Sequence, residues 1–398
     1  MTVTASLGKY ERWDADGDQL IPGILNEITL DHITPKLPWV EFSYLSIVSK
    51  AWLSAIRGRH VHDARVRSGS MDPLALVLLT CVDGMRTVAL YSMRDKSWVA
   101  LPPIPDQEED NLEGCQCVSL DGKVYVLGGR FDFPHGPGTD AVYVLDVAGQ
   151  KPWEKCANMS EPRESFGCGV FNGKIYVFGG MSPEDFVSGS EVYDPKEDIW
   201  SPISPMTSLR FSHRVEIVGE ELFLHNGWIW DPDSNDAETS DYMDVYHPGK
   251  NVWRQVTPFG IIPDEVLFVA KGKFYSMGQY DIHVLDDVNT DSWTYISSAS
   301  FQDAVERPGI FPHSQTSYLH RIPRAATLLD GEILAIFSEV TAFTGGDPPT
   351  LPEYRLLQSR GFQGGKGAIV WEQVEVPLLF VDNRGWYEFN VYRHPMHL

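Results

Sequence analysis

Two periodicities of apolar and polar positions divide the chain. From Leu20 to Gly58, apolar residues recur every three or four positions: Ile24, Leu25, Ile28 and Ile33, then Leu45, Val48, Trp52 and Ile56, with Ile47, Ala51 and Ala55 as a second, partly apolar stripe. That spacing predicts helices. Pro22 suits the first position of the first helix. Pro35 and Pro38 interrupt the pattern, and Pro38 can open a short helix through Trp39 and Phe42. From about residue 74 onward the pattern changes to short runs of β-branched and aromatic residues between turn residues, which predicts strands.

The strand pattern repeats. "DGKVYVLGG" (Asp121–Gly129) and "NGKIYVFGG" (Asn172–Gly180) each open with a favoured two-residue hairpin turn, continue as a strand apolar on both faces, and end in a glycine pair that permits a sharp change of direction. Weaker copies lie at Gly219–Gly227, Gly272–Gln279 and Gly331–Ser338. A second strand follows in most units ("VYVLD", "EVYDP", "DVYHP", "IHVLD"), then a turn and a tryptophan: Trp153, Trp200, Trp253, Trp293 and Trp371. A further unit with Trp98 lacks the glycine pair, which brings the total to six. Units of about 40–55 residues with about four strands each are the pattern of propeller blades. The glycines and tryptophans are expected to pack blades and to specify fold only. The first unit lacks an innermost strand, so C-terminal "PLLFV" or "WYEFNVYRH" is expected to supply it and close the ring.

This order of strand, Gly-Gly, Tyr-Asp-Pro and Trp resembles the kelch repeat over roughly residues 74–398. The resemblance implies a mainly β chain with a six-bladed kelch-type β-propeller. Ahead of it, a Leu-Ile-Pro start, an apolar helix and then Leu-x-x-Val-Ser-Lys-x-Trp resemble an F-box, a helical cap that docks on the Skp-type adaptor of a cullin-RING ubiquitin ligase. Carried over, the match falls on Leu20, Ile21 and Pro22, on Ile24, Leu25 and Ile28, and on Leu45, Val48, Ser49, Lys50 and Trp52. The middle, "ITPKLPWVEFSYL", departs from the family pattern. The domain plan is then a flexible N-terminus (1–19), an F-box-like helical domain (20–65) and a kelch propeller (74–398). The combination resembles the plant-type F-box/kelch-repeat family. It implies a non-catalytic substrate receptor that holds a target protein for ubiquitination and has no cofactor. So small a helical body offers more apolar side chains than it can bury, so some must face a partner, unless the helices dock on the propeller itself.

Composition narrows the partners. A formal net charge of −23 opposes binding to a phosphate backbone. No run of about 18 apolar residues and no secretory leader is present, so a soluble protein of cytoplasm or nucleus is expected. Five cysteines at no zinc-finger spacing fit reduced thiols.

In four-stranded blades the connections between strands two and three share a rim with those from one blade to the next. There lie the long segments from Arg130, Met181, Asp231, Ser300 and Glu339, whereas the connections between strands one and two are tight (Asp121-Gly122, Asn172-Gly173, Asp330-Gly331). That rim is expected to recognise the target. The acidic runs 106–113 and 231–241 would attract a basic segment, and Phe131, Phe133, Phe186, Trp228 and Trp230 could anchor it. Arg163, Arg210 and Arg324 recur just before innermost strands, where they either bind acidic target groups or pair with neighbouring blades.

Catalytic motifs fail on spacing. The segment from Asp14 lacks the EF-hand turn glycine and final glutamate, "GFQGGKGA" lacks phosphate-loop spacing, and no Gly-x-Ser-x-Gly occurs. Cys117, Cys168, His213 and His225 would make a metal site only by converging on one point. The competing functional classes are a plain interaction scaffold and a metal-dependent propeller enzyme.

Overall fold

In a computed structural model, the structure describes residues 19–38, 41–57, 59–70, 73–81, 86–105, 112–131, 136–147, 152–182, 185–256, 265–278, 281–287, 292–298, 317–329, 332–343, 353–360, 370–374 and 386–397. Described residues up to Ser70 form one compact unit, and those from Pro73 onward form another.

The first unit is helical. Gly23 takes φ 83°, outside the right-handed helical region, so Pro22 precedes the first helix and does not open it. Helix begins at Asn26–Ile28, whose Asn26 Oδ1 accepts the Leu20 N–H at 2.8 Å. It passes through a π turn, Thr29–Ile33, into a 3-10 turn, Thr34–Lys36, where Pro35 sits. Three helices follow, Glu41–Val48, Lys50–Arg57 and Arg59–Ser68. The stretch from Leu45 to Gly58, which reads as one helix, is broken at Ser49. Its Oγ accepts the Trp52 N–H at 3.1 Å and caps the second helix, so the stripe through Leu45 and Val48 does not continue straight into Trp52. Leu20, Leu30, Phe42, Trp52, Ala55, Ile56 and Val61 form the core. The last helix extends past residue 65 because Val61, Ala64 and Arg65 turn inward. The Arg65 guanidinium donates to Leu37 O and lies 5.2 Å over the Phe42 ring.

The second unit is mainly β and contains six four-stranded antiparallel sheets in chain order. The first runs Trp386–His397, Pro73–Cys81, Arg86–Ser92, Ser97–Ala100, so "WYEFNVYRH" supplies the strand beside Pro73–Cys81. "PLLFV" lies outside the described residues. The second sheet runs from Gln116–Leu120 to Glu154–Lys155 and the third from Gly167–Phe171 to Ile199–Pro202. The fourth runs from Arg214–Val218 to Val252–Val256, the fifth from Val266–Ala270 to Ser292–Ser298, and the sixth from Ser317–Leu329 to Val370–Gln373. The leading strands of the second to sixth sheets neighbour one another in that order, and Trp386–His397 neighbours both Ser317–Leu329 and Gln116–Leu120.

Local chemistry explains the repeat. Asp121-Gly122 and Asn172-Gly173 both take positive φ at both positions (51° and 72°, 49° and 72°), the conformation of a two-residue hairpin whose twist matches its strands. The glycine pairs mark close backbone approach as well as a change of direction. Gly129 N–H donates to Arg163 O at 2.7 Å and Gly180 N–H to Arg210 O at 2.9 Å, and a Cβ on Gly179 would stand 2.6 Å from Arg210 O.

The tryptophans act through their indole N–H. Trp153 donates to Pro102 O (3.0 Å), Trp200 to Ala157 O (2.9 Å) and Trp253 to Ser204 O (2.9 Å), each tying the start or body of a last strand to the segment that leaves the preceding sheet. Asp198 and Asn251, two residues earlier in left-handed turns, complete this tie. Asp198 Oδ1 accepts from Tyr193 Oη (2.6 Å) and Ala157 N (2.8 Å), and Asn251 Oδ1 accepts from Tyr246 Oη (2.8 Å) and Ser204 N (2.8 Å).

Candidate interaction surfaces

The helical unit sorts its candidate residues by packing. Leu20 and Trp52 are buried, and the Trp52 indole N–H donates to Leu20 O at 3.0 Å. Ile21, Ile24 and Leu45 are half-buried. Pro22 is exposed, as are Leu25 (62%), Ile28, Val48 (65%) and, outside the sequence expectation, Tyr44 and Ile47 (81%). Trp52 therefore holds the unit together, and the exposed apolar side chains come from Leu25–Ile28 and from Tyr44–Val48. The signal for Ile47 was present in the second stripe, but only the break at Ser49 turns it fully outward.

In the β unit, Arg163 and Arg210 stand in the interior. The Arg163 guanidinium donates to Gly179 O (3.0 Å), Gly189 O (2.8 Å), Glu161 Oε1 (3.1 Å) and Glu191 Oε1 (2.8 Å). Arg210 donates to Asn226 O (2.8 Å), Tyr242 O (3.2 Å), Ser240 Oγ (2.8 Å) and Asp244 Oδ2 (3.0 Å). Both side chains are fully enclosed, and every bond given above is made inside the β unit. Arg163 ties the second and third strands of the third sheet and Arg210 those of the fourth, each through a carbonyl just after the second strand, a carbonyl just before the third and a carboxylate on the third. Arg324 lies in the strand Ser317–Leu329.

The candidate aromatic anchors separate as well. Phe133 lies outside the described residues, and Phe131 is half-buried in a two-residue strand opposite Leu112. Phe186, Trp228 and Trp230 gather. The segment from Asp231, expected to be a loop, is a hairpin: Trp228–Asp231 pairs with Asp236–Thr239 and, on its other side, with Leu209–Phe211. Register places Trp228 opposite Phe211 and Thr239, and Trp230 opposite Leu209 and Ala237, so all six share one face. Phe186 stacks on Trp230 with ring centroids 4.5 Å apart, and Trp228 is 44% exposed. Ile229, Asp231, Asp236 and Glu238 share the opposite face. The Asp231 carboxyl is held below the ordinary carboxylate range by the Asp233 N–H and the Ser234 hydroxyl.

His213, just ahead of the fourth sheet, and His225, at the end of its second strand, are buried, and among the described residues neither ring nitrogen of His213 has a hydrogen-bond partner. Burial lowers both imidazoles well below their ordinary value, His225 to about 3, and the Arg210 guanidinium adds to the effect. They stand where the third sheet carries Phe166 and Phe178. Cys168 is likewise pushed up by burial, away from thiolate chemistry. Among the described residues no three His, Cys, Asp or Glu side chains gather as metal ligands, and no helix is long and apolar enough to cross a membrane.

The Kelch motif model matches residues 113–160 and 162–207, which contain the second and third sheets. The F-box/kelch-repeat protein SKIP30 of Arabidopsis thaliana is 26% identical over 307 residues, covering 73% of this chain and 76% of its own length. A second Arabidopsis thaliana F-box/kelch-repeat protein is 30% identical over 192 residues, 47% of this chain and 49% of that one, so the chain spans about half of its length. A third is 25% identical over 66% of this chain and 75% of its own. Repeat and relatives agree: the chain carries the Kelch motif and is similar to F-box/kelch-repeat proteins of Arabidopsis thaliana.

Proposed function

We propose that the chain is the substrate-receptor subunit of an SCF-type ubiquitin ligase, with the helical unit docking on a Skp-type adaptor and the β unit holding a target protein. The six sheets are the blades of a six-bladed propeller, closed by Trp386–His397. The observation that carries the adaptor half is the exposed set Leu25, Ile28, Tyr44, Ile47 and Val48 on a unit whose core is already filled by Trp52. Large apolar side chains at this exposure on so small a body favour a protein partner. Leu20, Leu45 and Trp52 contribute by holding that surface in shape. Rate enhancement is by proximity, since tethering raises the effective concentration of target lysines near a ubiquitin-charged enzyme.

The experiment is co-purification of the full chain with a Skp-type adaptor, compared with Ile47→Asp plus Val48→Asp. Both positions are exposed, so the variant's helical circular dichroism and melting should match the parent. Loss of the complex with folding intact supports the reading. A parent chain that is folded yet fails to bind the adaptor overturns it and leaves an interaction scaffold.

A further inference from the structure

The Trp228–Thr239 hairpin is an addition to the repeat. Six sheets have four strands, whereas the sheet carrying this hairpin has three, in the order Leu209–Phe211, Trp228–Asp231, Asp236–Thr239. Among the described residues, nothing pairs with the outer edge of Asp236–Thr239. The Ala237 N–H on this strand donates to the carboxylate of its neighbour Asp236, at 2.8 Å. An edge of this kind is a template for one more strand.

The two faces beside the edge differ in chemistry. One presents Trp228, exposed at 44%, next to Trp230, Phe186 and Phe211. The other presents Asp231, Asp236 and Glu238, and from Trp228 to Asp241 the chain holds five carboxylates and no Lys or Arg. Charges on an edge strand guard against indiscriminate pairing, because a neutral or acidic strand would have to approach unpaired carboxylates. A basic strand turns those same groups into partners.

We propose that the outer edge of Asp236–Thr239 takes an extended segment of a target protein as a fourth, antiparallel or parallel, strand. Its alternating Lys or Arg side chains lie over Asp236 and Glu238, and the intervening apolar side chains lie over the Trp228 face. The alternation follows from register: Asp236 and Glu238 point one way, and Ala237 and Thr239 point the other way, with the tryptophans. Backbone bonds supply affinity and the two faces supply selection. The inference rests on the β unit being the target-binding part, and it is independent of ligase recruitment.

The test uses the full chain and a dye-labelled, end-blocked octapeptide of alternating Lys and Val, with binding read by fluorescence anisotropy at physiological ionic strength. Three changes should each weaken binding by about tenfold or more: N-methylation of alternate peptide amides, Glu in place of Lys, and Asp236→Lys plus Glu238→Lys in the protein. Trp228→Ala, on the opposite face, should weaken it as well, and unchanged melting of the variants shows that the fold is kept. Equal binding of the N-methylated peptide means charge alone is responsible and overturns the proposal. Binding unaffected by the hairpin variants, or no binding at all, also overturns it. Adaptor co-purification of the same variants reports on the ligase reading separately, because the helical unit is untouched.

Discussion

Mild acid should weaken the β unit through His213 and His225. Both imidazoles are buried, the charged groups Arg210 and Arg214 acting on them are cationic, and the Asn226 side chain offsets only part of the effect at His225. The folded chain therefore keeps them neutral, while in the unfolded chain each protonates near the ordinary value of 6.5. Below that value the unfolded state binds more protons, so stability falls as pH falls. The decline continues down to the folded pKa, about 3 for His225. Each group loses about 1.4 kcal/mol per pH unit, so the pair gives up about 3 kcal/mol by about pH 5.5. Glu164, raised by burial, acts in the opposite sense, from its folded pKa down to its ordinary value of 4.5. Urea unfolding followed by tryptophan fluorescence from about pH 7.5 to about pH 5.5 measures the slope. His213→Phe plus His225→Phe copies the side chains of the third sheet and should flatten it. The same slope in parent and double variant would refute the reasoning.

Arg210→Met leaves Asp244 buried without its cation, and a loss of about 3–5 kcal/mol in urea unfolding is expected, with target-peptide binding by any surviving folded fraction unchanged. If the melting point holds, the buried pair is not a structural tie. Trp200→Phe keeps the ring and removes the bond to Ala157 O, for about 1 kcal/mol, whereas Trp200→Ala costs severalfold more by denaturant midpoint. Equal losses would show that the indole N–H contributes nothing.

The repeat was legible because its turns require particular residues: Asp-Gly and Asn-Gly at positive φ announce a hairpin wherever they fall. The tryptophans were visible too, but their partners were not, because Ala157 O and Ser204 O are backbone atoms about 43–49 residues away along the chain. The Trp228–Thr239 hairpin escaped for a different reason. Its second strand, "DAET", has the composition of a loop and is held by pairing to a tryptophan-bearing neighbour, so tertiary context overrides propensity. Arg163 and Arg210 read equally well as rim or interior, since position before a strand does not say which way a long side chain turns. Glu191 and Asp244, each just before Val-Tyr in its third strand, were the available clue. In the helical unit, spacing alone could not separate Trp52 from Val48; that depended on Ser49 restarting the helix.

The first sheet joins Pro73–Cys81 to Trp386–His397, segments made at widely separated moments of synthesis. With about 300 residues between them and translation at about 5–20 residues per second, the earlier strand waits some 15 seconds to a minute for its partner. During that interval Leu74, Leu76 and Leu78 sit on a strand with one bare side on the ribosome-bound chain. A premature stop shortly before Trp386 makes that condition permanent. Such a product keeps its helical unit and most of its repeats, yet carries an open edge that invites chaperones or aggregation, so nonsense mutations late in the gene should be nearly as damaging as early ones.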